Sequence, residues 1–312
     1  MLYMIINPTS KSGKGINIWE QLENELKQNA MEYQTHFTTK EGGAKAAIKE
    51  ILQSASLESL QKQEDLICVL GGDGTVNQTV SALRGYGHKD LPIAYLPTGS
   101  SNDLAKSLQL SSDPEEFLSH IKAMSLQCAD TGLLTIPNGK KRAFCVSCGI
   151  GIDAAVCKEA LDSKLKKVLN RIGLGKLTYA FIALKQLINA PVSGCDLILD
   201  DGVLRHFDRF LFGVTMVQPY EGGGIKMAPM ADCHDGEFDI LIVANMKKWR
   251  VLYLLPLAFF GLHTKAKNIY FYRSTSVRIK TDAPLTVHTD GEFAGMRTEI
   301  SLECKKADLK YI

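Results

Sequence analysis

Apolar and polar positions alternate along the first third of the chain in a way that assigns its elements. Leu2 to Ile6 (LYMII) is an unbroken apolar run closed by Asn7-Pro8, the pattern of a buried parallel strand and a turn. Trp19, Leu22 and Leu26 then recur at helical spacing. Gln34 to Thr38 reads as a second strand and Ala44 to Leu52 as a second helix. Leu66 to Leu70 (LICVL) is another buried strand, broken by Gly71-Gly72-Asp73-Gly74, and Val76, Val80 and Leu83 resume the helical period. Ile93 to Leu96 makes a fourth strand, ended by Pro97. Alternating strands and helices predict a doubly wound α/β domain.

The pattern changes near Cys128. Strand-like runs follow one another at Ala143–Gly149, Asp196–Asp200, Phe210–Val217, Phe238–Val243, Val277–Lys280, Leu285–His288 and Glu299–Cys304, separated by Gly, Asp and Pro turns. Helical patterns interrupt them at Ala155–Leu187 and Lys247–Leu262. This predicts an antiparallel β-sandwich or barrel. The expected division is an α/β domain over 1–127 and a β-sandwich domain over 128–304, with no repeat and no flexible tether between them.

Composition narrows the function. The 312 residues carry 36 Lys and Arg against 34 Asp and Glu, a net charge of +2 that argues against a nucleic-acid partner. Eight cysteines in this length are too sparse for a disulfide scaffold, and neither Cys145-x2-Cys148 nor Cys233-His234 has partners at zinc spacing. The start MLYMIINPTS lacks a signal-peptide pattern, and Val251 to Leu262 is too short to span a bilayer. The expectation is a cytoplasmic protein. Its net charge conceals Lys158 to Lys176, with six basic and two acidic residues interleaved with apolar ones, and Lys247-Lys248-Trp249-Arg250 ahead of an apolar stretch. Either could be an ordinary amphipathic helix or a peripheral contact with an anionic membrane.

The sharpest chemical element is Gly71-Gly72-Asp73-Gly74-Thr75-Val76-Asn77, between a buried strand and a helix. Glycines there let backbone N–H groups approach a phosphate, and the helix N-terminus adds a favourable dipole. The same residues also describe a tight turn with Asp73 capping the helix. Asn7-Pro8-Thr9-Ser10-Lys11-Ser12-Gly13-Lys14-Gly15 follows the first strand, and Pro97-Thr98-Gly99-Ser100-Ser101-Asn102-Asp103 the fourth. In an open parallel sheet ligands sit beyond the carboxyl ends of the strands, so the three loops converge on one nucleotide. The second domain adds Asp232-Cys233-His234-Asp235-Gly236-Glu237 and Asp290-Gly291-Glu292. A DGE tripeptide is also an ordinary hairpin turn.

GGDGTVN, the NPTS…GKG start, PTGSSND, the Gly222-Gly223-Gly224…Ala228-Pro229…Asp235-Gly236 run and the final DGE, in this order, resemble the bacterial diacylglycerol kinase family, relatives of sphingosine and ceramide kinases. The resemblance implies an ATP-dependent, magnesium-requiring lipid kinase acting at a membrane surface. It implies ATP contacts from Asn7, Pro8, Thr9, Ser10, Lys11, Thr39, Gly71, Gly72, Asp73, Gly74, Thr75, Val76, Asn77, Ser100 and Asn102, with Lys14 as an additional phosphate contact. A structural magnesium falls on Asp232, Asp235 and Glu237, through the Asp235 side chain and backbone oxygens of the other two. Glu292 is the implied proton acceptor with Asp290 beside it, and Asp73 and Asp130 are the implied acidic partners of the catalytic magnesium. The resemblance also implies that the tail, 305–312, returns to the first domain, and homodimers are common in that family. Ser100 stands where many relatives have Thr, and His234 where they often have Asp. The competing readings are a kinase of a soluble substrate, since NAD kinases and phosphofructokinases share GGDGT, and a non-catalytic lipid- or nucleotide-binding protein.

Overall fold

The computed structural model describes residues 1–13, 15–39, 42–136, 139–162, 182, 184–189 and 191–312. Lys14 and most of the basic stretch expected over Lys158–Lys176 lie outside the described residues. The chain forms two units, Met1–Asp130 with Lys306–Ile312, and Thr131–Lys305.

The first unit contains β1 (Leu2–Ile6), α1 (Gly15–Gln28), β2 (Tyr33–Phe37), α2 (Gly43–Ser54), α3 (Leu57–Gln61), β3 (Leu66–Gly71), α4 (Asp73–Gly85), β4 (Ile93–Pro97), α5 (Asp103–Ser107), α6 (Pro114–Ala123) and the start of β5 (Gln127–Thr135). Its sheet runs β2-β1-β3-β4, all parallel. Every residue of β1, β3 and β4 is buried, as continuous apolar strands covered on both faces must be. On one face Leu2, Met4, Ile6, Leu66, Cys68 and Leu70 pack with Trp19, Leu22 and Leu26 of α1 and Phe117, Leu118 and Ile121 of α6. Local chemistry sets the α6 start: Asp113 accepts from the N–H groups of Glu115 and Glu116, and Pro114 opens the first turn. The last residues return to this sheet, where Tyr311 pairs with Ile93 and Ile312 exchanges main-chain hydrogen bonds with Ile93 and Tyr95.

The second unit continues with β6 (Lys141–Phe144), β7 (Ser147–Gly151), α7 (Ile152–Asp162), β8 (Ser193–Leu199), β9 (Leu204–Met216), β10 (Phe238–Ala244), α8 (Lys248–Phe259), β11 (Ile269–Ser274), β12 (Ser276–Thr289) and most of β13 (Glu292–Tyr311). The pairings described among these strands are antiparallel. β9 and β12 are each shared: their outer halves pair with β8 and their inner halves with β7. That sharing needs β12 to bend, and its register shifts between Lys280 and Leu285, where Pro284 has no N–H to offer. The expected strands Val277–Lys280 and Leu285–His288 are therefore one bent strand. Conversely, the single strand expected over Ala143–Gly149 is two, broken at Cys145-Val146. The helix expected from Ala155 to Leu187 is described at 152–162, 182 and 184–189.

Candidate active site

The first unit's strands end level with one another, because Ile6 is in register with both Phe37 and Leu70, and Gly71 with Pro97. The loops that follow are thereby delivered to one edge, and side chains join them. Asn7 donates through Nδ2 to Thr75 Oγ1 at 3.1 Å, while its Oδ1 accepts from the N–H and hydroxyl of Thr9. Ser10 and Thr98 share a buried hydroxyl–hydroxyl hydrogen bond of 2.9 Å. Gly72 and Gly99 approach main chain to main chain, with space for no side chain between them. Thr98 is readable in the sequence only as part of the loop after the fourth strand, with no role of its own. Lys11 and Ser100 are exposed, and Thr39 accepts from Gly42 N–H in a turn leading to α2.

Asp73 caps a helix, but not the one whose sequence it opens. Its two oxygens accept the N–H groups of Asp103 at 2.9 Å and Leu104 at 3.2 Å, closing the start of α5 instead of α4. The cause is tertiary: the loop after β4 brings α5 against the glycine turn. Asn102, in the left-handed region at φ 50°, precedes it, and its Oδ1 is buried with no hydrogen-bond partner among the described residues. An acceptor without a donor, beside a main chain bare of Cβ atoms, fits a nucleotide, whose ribose and base supply donors and whose phosphates need close amides. Asp130 is buried and accepts from Ala307 N–H at 2.7 Å, which ties the returning chain to β5.

In the second unit Asp290 and Gly291 form the two-residue turn between β12 and β13, both at positive φ, as an Asp-Gly hairpin turn requires. The Asp290 carboxylate accepts three consecutive main-chain N–H groups, Cys145 and Val146 at 2.8 Å and Ser147 at 2.9 Å. Those bonds explain the break between β6 and β7, whose N–H groups turn toward Asp290. The half-buried Glu292 carboxylate, two residues on, has no hydrogen-bond or ion-pair partner among the described residues. Phe293 follows it, with the Lys158 ammonium 4.5 Å from its ring centroid. Behind the turn lies fully buried His288, whose Nε2 is 2.7 Å from Asp153 and 3.4 Å from Glu221. Ser147 donates its hydroxyl to the same Glu221 at 2.5 Å. None of His288, Asp153 and Glu221 was legible as a site residue, because only folding brings them together.

The turn expected to bind structural magnesium holds a guanidinium. Arg273 of β11 pairs with Asp235 and lies 3.8 Å from Glu237 and 3.7 Å from Asp239. Burial pushes the Asp239 carboxyl up to about 6; Arg273 opposes this, and the charges of Asp235, Glu237 and Asp232 add to it. Asp232 accepts from the His234 N–H and lies 3.1 Å from its Nδ1. The oxygen donors have the right hardness for magnesium, but Asp235, the side chain assigned to ligate it, is engaged by Arg273. The implied ion does not fit this arrangement.

Residues 1–134 match the family described as diacylglycerol kinase catalytic domain, and residues 146–309 the YegS C-terminal NAD kinase beta sandwich-like domain. A Bacillus subtilis protein named "Putative lipid kinase YtlR" is 28% identical over 298 residues, covering 94% of this chain and 93% of that protein. A diacylglycerol kinase of Bacillus subtilis is 28% identical over 302 residues, covering 94% and 90%. A crystal structure of a diacylglycerol kinase from Bacillus anthracis superposes with a TM-score of 0.69 at 20% identity, covering 100% of this chain and 96% of that one, which speaks for the fold alone.

Proposed function

The chain belongs to the family that joins a diacylglycerol kinase catalytic domain to a YegS-type C-terminal domain, and from that premise we propose that it transfers the γ-phosphate of ATP to the hydroxyl of diacylglycerol, giving phosphatidic acid. Phosphoryl transfer to an alcohol is the reaction class of that family.

The observation that carries the reading is the contrast between Asp290 and Glu292. One hairpin presents two carboxylates: Asp290 is committed to three N–H groups, while Glu292 has no partner among the described residues. Asp290 fixes the turn and Glu292 takes the proton. As the lipid oxygen bonds to the γ-phosphorus and the bond to the β–γ bridging oxygen breaks, the hydroxyl proton passes to Glu292. The Gly72–Gly99 cradle supplies amides to the phosphates, and Asn102 Oδ1 accepts from the nucleotide. Magnesium brought with ATP would offset phosphate charge, and Asp73 is the carboxylate that would stand beside it.

A lipid substrate requires contact with a membrane, and α8 supplies it. Trp249, Tyr253 and Phe260 are 63%, 72% and 73% exposed, and their spacing sets them on one helical face. Leu254 and Ala258 occupy the inner face, buried on the sheet. Between Asn245 and Asn268 the chain carries Lys247, Lys248, Arg250, Lys265 and Lys267 and no Asp or Glu. Exposed aromatic residues in a segment that carries cations and no acidic residue suit an anionic bilayer surface held peripherally. Among the described residues no helix is long and apolar enough to cross a membrane.

The test is transfer of labelled γ-phosphate from ATP to a panel of diacylglycerol, sphingoid bases, undecaprenol, phosphatidylglycerol and NAD. Diacylglycerol should be labelled. Labelling of NAD alone would favour the second reading, a soluble-substrate kinase, which the description of the C-terminal domain supports. No labelling at all would favour a binding protein.

A further inference from the structure

His288 sits at the end of β12, two residues before the turn, fully buried, and its two ring nitrogens face opposite demands. Nε2 points at Asp153 of α7, 2.7 Å away, and at Glu221 in the loop after β9, 3.4 Å away. On the other side the Gly291 N–H donates to Nδ1 at 3.1 Å. A donor on Nδ1 requires a lone pair there, so this geometry calls for the neutral ring with its proton on Nε2. Burial favours that neutral ring, whereas the hydrogen bond to Asp153 and the charges of Asp153, Glu221 and Asp290 pull the other way and raise its affinity for a second proton. At Nδ1 itself the direct hydrogen bond decides, because a proton there would break it.

The pattern also excludes a simpler use of the cluster. Asp153, Cys157 and His288 lie close enough together to hold a metal ion. A ring that accepts at Nδ1 keeps its proton on Nε2, however, and has no lone pair to give a metal. Neighbouring Cys148 is buried and its thiol is held well above its usual range, so it adds no charge.

The Gly291 N–H belongs to the peptide that joins Asp290 to Gly291, and the next peptide leads into Glu292. Asp290 anchors this turn through its side chain to the β6–β7 junction, and His288 anchors it through the Gly291 main chain. Gly291 stands at φ 79°, where the chain has the freedom to flip if one anchor is lost. We infer that His288 is a positioning residue for phosphoryl transfer: its Nδ1 lone pair holds the Gly291 N–H and so fixes the turn that aims Glu292. The inference rests on the reading of Glu292 as proton acceptor.

Two substitutions separate this from a plain packing role. In His288→Asn the amide oxygen occupies the place of Nδ1 and still accepts from Gly291. In His288→Gln the amide reaches the place of Nε2, keeps Asp153 and loses Gly291. The expected result is that His288→Gln lowers kcat ten- to a hundredfold, about the loss that a misplaced catalytic group produces, with KM for ATP unchanged. Its Gly291 amide should exchange with solvent faster, while His288→Asn stays near wild type on both counts. A Gln variant as active as the Asn variant, or a Gly291 amide exchanging at the wild-type rate in His288→Gln, overturns the inference. Should His288→Gln fail to fold, the nitrogen-15 spectrum of wild-type imidazole at neutral pH decides: Nδ1 must be the unprotonated nitrogen, and a proton on it overturns the inference. Glu292→Gln assayed alongside keeps the two readings apart. Turnover retained there removes Glu292 as the base, whereas Gly291 exchange still reports whether His288 holds the turn.

Discussion

Gly72 and Gly99 touch through their main chains: a Cβ at position 99 would lie 2.5 Å from Gly72 Cα and 2.5 Å from Asn102 Oδ1. Real Cβ atoms do not come so close to backbone, so any side chain at 99 forces the second and third loops apart. Gly99→Ala should therefore raise the KM for ATP by about tenfold or more and cost roughly 1–3 kcal/mol of stability, as overpacking does. Isothermal titration with ATP and a thermal melt measure both. Gly85→Ala is the control: a Cβ there meets nothing within 4 Å and lies in a helix, so it should leave ATP binding unchanged.

The double acceptance at Asp73 makes it a structural as well as a chemical residue. Asp73→Ala leaves the Asp103 and Leu104 N–H groups without their carboxylate, and a lost cap costs about 1 kcal/mol. Asp73→Asn keeps one acceptor and should melt between the wild type and Asp73→Ala. If all three melt together, the cap is of no consequence and Asp73 serves chemistry alone.

The raised pKa of Asp239 gives stability a pH signature of definite sign. Its ordinary value is 3.8 and its folded value about 6, so between them the native state binds more protons than the unfolded chain. Stability then falls as pH rises from about 4 to about 6, by up to about 3 kcal/mol for a shift of this size. Asp239→Asn removes the titrating group and should flatten that part of the profile of melting temperature against pH. An equally steep fall in the variant assigns the effect to another group.

If the outer face of α8 meets the bilayer, replacing Trp249 and Tyr253 together by alanine should reduce pelleting with vesicles that contain anionic lipid. Phosphorylation of a micelle-dispersed diacylglycerol should stay near wild type. Each Lys or Arg near such a surface contributes about 1 kcal/mol, so binding should also weaken with salt. Binding equal on neutral and anionic vesicles contradicts the electrostatic part of the account.

The parallel strands were legible because each is a continuous apolar run, and runs such as LICVL bury both faces. The three loops were legible because glycines and hydroxyls cluster after those runs. The partly exposed strand β11 was not, since Tyr270 to Arg273 alternate in no regular way between core and solvent. Neither was the length of β13, whose 20 residues mix half-buried and exposed positions. The site's supports were the least legible. Asp290 is 145 residues from Cys145 in sequence, and Arg273 is 38 from Asp235. A DGE tripeptide announces a hairpin, but nothing local announces which backbone its aspartate will hold or which histidine will stand behind its glycine.

Glu292, and not its neighbour Asp290, is the proposed acceptor of the proton from a lipid hydroxyl. Transfer of labelled γ-phosphate from ATP to diacylglycerol by Glu292→Gln, with ATP affinity measured on the same preparation, tests it most directly. A kcat lower by about a hundredfold or more, the scale of losing a general base, is expected at unchanged ATP affinity and melting temperature. Turnover within about threefold of wild type would contradict it.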